Sequence, residues 1–131
     1  MSAKVLVVDD SRAIRQLVGT ALLQAGYQVL EAANGEQALG IFEKQCAGID
    51  LVLTDMVMPK MGGRELAERV CQIRPYTKVI FMSGYTDDVL VRTGALNPGM
   101  SFLQKPLRAE TLTAKVREVL DGRPLLPVNW R

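Results

Sequence analysis

The sequence predicts an α/β fold, a doubly wound five-stranded parallel sheet with helices on both faces. Three observations lead there. Short β-branched apolar runs recur along the chain, segments with the 3.6-residue helical period lie between them, and Gly, Pro or Asn punctuates the junctions. Nearly continuous apolar runs suit strands buried on both faces, and five βα units in succession imply a parallel sheet with right-handed crossovers.

The run KVLVV sets β1 at residues 4–8. Ile14, Leu17, Val18, Ala21 and Leu22 then form one stripe along α1, residues 11–25, which Gly26 closes. After β2 (28–32), Asn34 is a candidate N-cap for α2 (35–46), whose stripe is Ala38, Leu39 and Phe42 and which Gly48 follows. The run at Leu51 to Leu53 gives β3 (50–54), and Leu66, Val70 and Ile73 give α3 (63–74), stopped by Pro75. Val79 to Met82 give β4 (78–82), then α4 is expected at 87–95. Phe102 and Leu103 mark β5 (101–104), and Leu112, Val116, Val119 and Leu120 mark α5 (109–121). Residues 1–121 read as one domain. The tail 122–131 holds Pro124 and Pro127 and is expected to be irregular.

Composition narrows the functions. The 131 residues are 48% apolar and 23% charged, enough for one core without metal or disulfide staples. Sixteen basic and fourteen acidic residues leave +2 with the signs interspersed, which argues against direct nucleic acid binding or an anionic membrane as partner. No apolar run approaches the ~20 residues that span a bilayer, and the start resembles no signal peptide, so a cytoplasmic location is expected. Cys46 and Cys71 are expected to be reduced thiols. The absence of histidine removes Cys/His zinc sites, Ser-His-Asp and Cys-His catalysis, and a phosphohistidine on this chain.

Ligands of open α/β sheets sit outside the carboxyl ends of the strands. There Asp9 and Asp10 follow β1, Asp55 follows β3 after Thr54, Ser83 follows β4, and Lys105-Pro106 follows β5. Each has an ordinary reading when taken singly: Asp10 or Ser11 as N-cap of α1, Ser83 as a turn former, Lys105 as a solvated cation. A carboxylate such as Asp55, ending a central buried strand, needs a partner. Together, three carboxylates on one rim repel one another and call for cations. Lys105 supplies one charge and a divalent ion two; oxygen ligands favour Mg²⁺ or Mn²⁺ over zinc. Such a site invites phosphoryl transfer to a carboxylate, with Asp55 the best nucleophile, because Asp9 and Asp10 adjoin and can share the metal, while Ser83 offers a hydrogen bond.

The set Asp9-Asp10, Asp55, Ser83 and Lys105-Pro106, with Val-Asp-Asp closing β1 and Met-Pro-Lys-Met-Gly-Gly after Asp55, resembles the response regulator receiver domain of two-component signalling over residues 4 to 121. The resemblance implies a flavodoxin-like (βα)5 fold with strand order 2-1-3-4-5. It implies that Asp55 accepts phosphate from a phosphohistidine on a histidine kinase or histidine phosphotransfer protein. Asp10, Asp55 and the carbonyl of Val57 are then expected to hold Mg²⁺, with Asp9 acting mainly through water. Lys105 binds the phosphoryl oxygen and Asp55, the bond to Pro106 is cis, and Ser83 swings toward the phosphoryl group as Phe102 moves inward. The α4-β5-α5 face then changes its partner preference, and a dimer through it is open. The chain would self-phosphorylate and self-dephosphorylate without being a turnover enzyme, though it would belong to a histidine kinase if cut from one.

Three features depart from that pattern. Phe102 has no hydroxyl, Arg108-Ala109 offers α5 no good N-cap, and Asn97-Pro98-Gly99 shortens α4 or loosens the chain after it. These bear on output, not on the phosphorylation chemistry. The segments FMSGYTDD (81–88) and FLQKPL (102–107) resemble receivers appended to hybrid sensor histidine kinases. Arg12, Ala13 and Arg15 leave the core stripe of α1 beside the acidic pair and can face a histidine-bearing helical bundle, or form a solvated basic face. Val57, two after the acceptor, and Tyr85, two after the hydroxyl, carry no carboxylate or amide to orient water and Tyr85 is bulky enough to cover the phosphoryl group, so a long-lived aspartyl phosphate is expected; a Tyr85 hydroxyl that recruits water, or Tyr85 packed on the surface of α4, is the alternative.

Rival functions fit less well. A flavodoxin-like electron carrier needs a Ser/Thr/Gly-rich phosphate loop after β1, where this chain has Asp-Asp-Ser-Arg. A haloacid-dehalogenase-type phosphatase uses Asp-x-Asp, not adjacent aspartates. The remaining alternative is a degenerate receiver acting only as a protein-binding module, against which the intact acidic set speaks.

Overall fold

The computed structural model describes residues 3–84 and 101–122. Strands β1 (Lys4–Val8), β2 (Gln28–Ala32), β3 (Leu51–Asp55), β4 (Lys78–Ser83) and β5 (Ser101–Gln104) form one parallel sheet in the order β2-β1-β3-β4-β5. The described helices are α1 (Arg12–Gln24), α2 (Gly35–Gln45), α3 (Gly63–Ile73) and α5 (Ala109–Asp121). The expected α4, with Tyr85 before it, the Asn97-Pro98-Gly99 segment and the chain beyond Gly122 lie outside the described residues.

Alternation along each strand builds two cores. Val5 and Val7 of β1, Leu51 and Leu53 of β3, and Ile80 and Met82 of β4 face α1 and α5, where Val18, Leu22, Leu112 and Val116 meet them. Leu6, Val8, Val52 and Phe81 face the opposite way, onto Ala38 and Phe42 of α2 and Leu66 and Val70 of α3. The three central strands are therefore apolar at consecutive positions, as the sequence suggested. Burying a side chain such as Leu22 or Phe42 completely stabilises the fold by roughly 1.5–3 kcal/mol.

The helix ends are chemically specified. Ser11, not Asp10, caps α1, its hydroxyl accepting from the Ile14 amide at 3.3 Å. Past the other end of α1, Gly26 takes φ +96°, a region costly for residues with a Cβ. Asn34 caps α2 by accepting from the Gln37 amide at 2.8 Å, while the Gln37 side chain accepts from the Ala33 amide at 2.7 Å. Arg108 precedes α5 without a side-chain cap, in line with its chemistry.

Several boundaries and faces differ from the sequence reading. Helix α1 is one residue shorter at each end than 11–25, because Ser11 and Ala25 are its caps. Residues 46–48 form a 3₁₀ turn after α2. Strand β3 starts at Leu51, since the Asp50 carboxylate is engaged with the Lys4 amide at 2.8 Å, and it extends through Asp55, which pairs with Met82. Ser83 likewise belongs to β4, paired with Gln104. Leu17 and Ile73, counted in apolar stripes, are 47% and 42% exposed. Leu17 lies at the margin of a face centred on Val18, Ala21 and Leu22, and Ile73 is the last residue of its helix.

Candidate functional site

The central strands deliver their last residues to one rim. Asp9 follows β1 directly and is completely buried, with all its polar groups engaged. Its amide donates to the Ala32 carbonyl at 3.2 Å, Oδ1 accepts from the Ser11 amide at 2.8 Å, Oδ2 accepts from Lys105 Nζ at 2.9 Å, and its carbonyl accepts from Arg15 Nη1 at 2.6 Å. Asp10 beside it is exposed. Asp55 ends β3 nearly buried, and Lys105 Nζ stands 3.5 Å from its Oδ1. One carboxylate oxygen from each of Asp9, Asp10 and Asp55 lies within 4.8 Å of the others.

A tight loop holds this arrangement in place. After Asp55 the Met56 amide continues the ladder to the Met82 carbonyl at 2.8 Å, and Lys60 takes φ 70°. The chain then returns so closely that a Cβ at Gly63 would collide with the Asp55 carbonyl oxygen. A Cβ at Gly35, the first residue of α2, would meet Met61 at 2.8 Å. Both glycines are required by close approach rather than by turn geometry. On the other side, the Lys105 amide donates to the Ser83 carbonyl at 2.7 Å, and the Lys105–Pro106 peptide is cis.

The electrostatics follow from burial. Removal from water pushes the Asp55 carboxyl above its ordinary value; the Lys105 ammonium and the Val57 backbone N–H oppose that shift, and the Asp9 charge reinforces it. Burial works to depress Lys105, but its hydrogen bond to Asp9 and the charges of Asp55 and Asp9 outweigh it and hold the ammonium above its ordinary value. Three carboxylates facing one ammonium leave an excess of negative charge. That donor set, all oxygen and short of cations, fits a hard divalent ion.

The rim brings together Asp9, Asp10, Asp55 and Lys105, with Ser83 buried at the end of β4. Val57 is 65% exposed beside Asp55. Phe102 is partly buried against the core on the α2 and α3 face, and Tyr85 lies outside the described residues. The Arg15 guanidinium, expected on a face beside the acidic pair, is turned onto the Asp9 carbonyl and lies 3.4 Å from Glu31. Nothing in a single sequence gives the direction of that side chain. The roles of Gly35 and Gly63 in packing are likewise absent from the sequence reading, although the Gly62-Gly63 pair is visible there.

Known proteins resemble the chain along most of its length. The model of the response regulator receiver domain matches residues 5–117. Sensor kinase CckA of Brucella abortus (strain 2308) is 39% identical over 120 residues, covering 92% of this chain, which spans 13% of that kinase. Sporulation initiation phosphotransferase F of Bacillus subtilis (strain 168) is 34% identical over 120 residues, covering 92% of this chain and 95% of that protein. A crystal structure of the receiver domain from hybrid histidine kinase CckA superposes with a TM-score of 0.78 at 34% identity, covering 91% of this chain and all of that one. The sheet order, the acidic rim and these matches agree: the chain belongs to the response regulator receiver domain family of two-component signalling.

Proposed function

We propose that Asp55 is the phosphoacceptor of a two-component phosphorelay and takes its phosphoryl group from a phosphohistidine on a histidine kinase or histidine phosphotransfer protein, in the cytoplasm. The observation that carries this reading is the position of Lys105 Nζ, 2.9 Å from Asp9 and 3.5 Å from Asp55, facing a cluster of three carboxylates. The acting unit is residues 1–121, with 122–131 as a tail.

An Asp55 oxygen attacks phosphorus, the P–N bond breaks, and the electron pair leaves with the imidazole, which takes up a proton. Lys105 neutralises charge on the phosphoryl oxygens, and the Ser83 hydroxyl donates to one of them. Asp10, Asp55 and the Val57 carbonyl would hold Mg²⁺, or Mn²⁺ in its place. Asp9 acts through water, since Ser11 and Lys105 already engage both its carboxylate oxygens. When bound, the ion supplies two positive charges against the equatorial oxygens. Transfer in this sense is one event per phosphoryl group, not turnover of a substrate. Readout is by the α4-β5-α5 face with Phe102 as the moving aromatic, and Val57 and Tyr85 shield the aspartyl phosphate from water.

The test is intact mass after incubation with acetyl phosphate. A gain of one phosphoryl group with Mg²⁺, absent with EDTA and absent in Asp55→Asn, is expected. No gain in the wild type would leave a protein-binding module, and continuous phosphate release at high turnover would point to a phosphatase.

A further inference from the structure

Arg12 and Arg15 lie one helical turn apart at the start of α1, yet they do different things. Arg12 is exposed, whereas the Arg15 side chain is only 17% exposed and bridges two groups. Its Nη1 donates to the Asp9 carbonyl at 2.6 Å and its Nε lies 3.4 Å from Glu31 Oε1. Glu31 stands on the edge strand β2, paired with Val7, and the next residue, Ala32, accepts the Asp9 amide at 3.2 Å.

We propose that Arg15 is a positioning residue for the acidic pair, clamping the Asp9–Asp10 peptide between α1 and the Glu31 carboxylate so that Asp10 directly, and Asp9 through water, would face the metal in a fixed geometry. This rests on the metal-dependent phosphoacceptor reading. A peptide is planar, so a donor fixed on the Asp9 carbonyl also fixes the Asp10 nitrogen in the same plane. Asp10 needs such a hold, because Ser11 provides the helix cap and the Asp10 side chain is exposed. A guanidinium is well suited to this role, since Nε and Nη1 are donors in one rigid plane and the contact with Glu31 therefore aims the bond to Asp9. A buried carbonyl without a donor is costly, which makes Arg15 the completion of the Asp9 shell rather than a surface cation.

The test uses the metal-free protein and a Mg²⁺ titration, both followed by NMR. With EDTA present, Arg15→Ala should speed exchange of the Asp9 amide at least several-fold, a readout independent of phosphorylation. The Mg²⁺ concentration for half-saturation should rise roughly tenfold, as for loss of a group orienting a metal ligand. Glu31→Ala should move both in the same direction by less, and the double variant should match Arg15→Ala alone, because the two side chains act as one unit. Arg15→Lys, which cannot reproduce the two-donor plane, should fall between. Should Arg15→Ala lose its fold, Glu31→Ala on the edge strand carries the same measurement. An unchanged titration with slower transfer only from a phosphohistidine donor would overturn the clamp in favour of docking, and additive single effects would overturn it too. Failure of the wild type to bind Mg²⁺ would overturn the metal-site reading along with it.

Discussion

The two edges of the sheet carry similar numbers of charged groups and use them in opposite ways. At the amino edge Asp50, Arg74 and Lys78 each answer a backbone group. Asp50 accepts from the Lys4 amide, Arg74 Nη1 donates to the Ile49 carbonyl at 3.0 Å, and Lys78 Nζ donates to the Leu120 and Gly122 carbonyls at 2.8 and 3.0 Å, capping the end of α5. That edge also holds a cavity of about 550 Å³, lined in part by Ile49, Asp50, Arg74, Lys78 and Leu120. At the carboxyl edge three carboxylates face one ammonium across a few ångströms. Charge facing charge, left short of cations, identifies the edge with chemistry, whereas charge facing carbonyls identifies the edge that ties helix to sheet.

The contrast predicts different outcomes for two lysines, and the largest effect belongs to the carboxyl edge. Lys105→Ala should slow labelling by acetyl phosphate roughly 100-fold, the scale of losing one donor aimed at developing negative charge, without weakening Mg²⁺ binding. Asp10→Ala should do the reverse, weakening Mg²⁺ binding most, which an NMR titration of both variants would read. Next comes the loop that holds Asp55. Gly63→Ala forces its methyl group into the Asp55 carbonyl and should cost about 2 kcal/mol or more, seen as a lower urea midpoint with slower labelling. At the amino edge, Lys78→Met should cost only about 1 kcal/mol, from the lost cap on α5, with labelling unchanged.

The smallest effect has the least expected sign. Because the folded Asp55 carboxyl ionises above its ordinary 3.8, its ionised form is disfavoured in the fold. That cost is absent below 3.8, grows as pH rises from there towards the raised value, and is complete above it. At pH 7 with EDTA, Asp55→Asn should therefore raise the melting temperature by about a degree or more, and the gain should vanish at about pH 3. Lys105 behaves oppositely: its raised value means a stabilising contribution complete below 10.5 and lost as pH rises beyond it.

Much of this was legible in the residues, for reasons that also explain the rest. A strand buried on both faces writes itself as a run such as KVLVV, so β1 fell at the expected residues, as did the half-buried edge strands β2 and β5. The ends of β3 and β4 were misjudged because Asp55 and Ser83 look like loop residues, yet their backbones stay in the ladder. Polarity at a strand end says nothing about where hydrogen bonding stops. The convergence of Asp9, Asp55 and Lys105 was readable because the carboxyl ends of parallel strands share one rim. The direction of Arg15 was not, since helical period gives a face and never the partner reached by a long side chain. The close approaches at Gly35 and Gly63 depend on loop paths that local sequence does not encode.

The most direct measurement locates the label. After treatment with acetyl phosphate and Mg²⁺, an acyl phosphate can be reduced with borohydride and the modified residue found by peptide mass mapping. A single modification at Asp55 is predicted, lost with EDTA. Modification at Asp9 or Asp10, or a full label surviving in Asp55→Asn, would contradict the account.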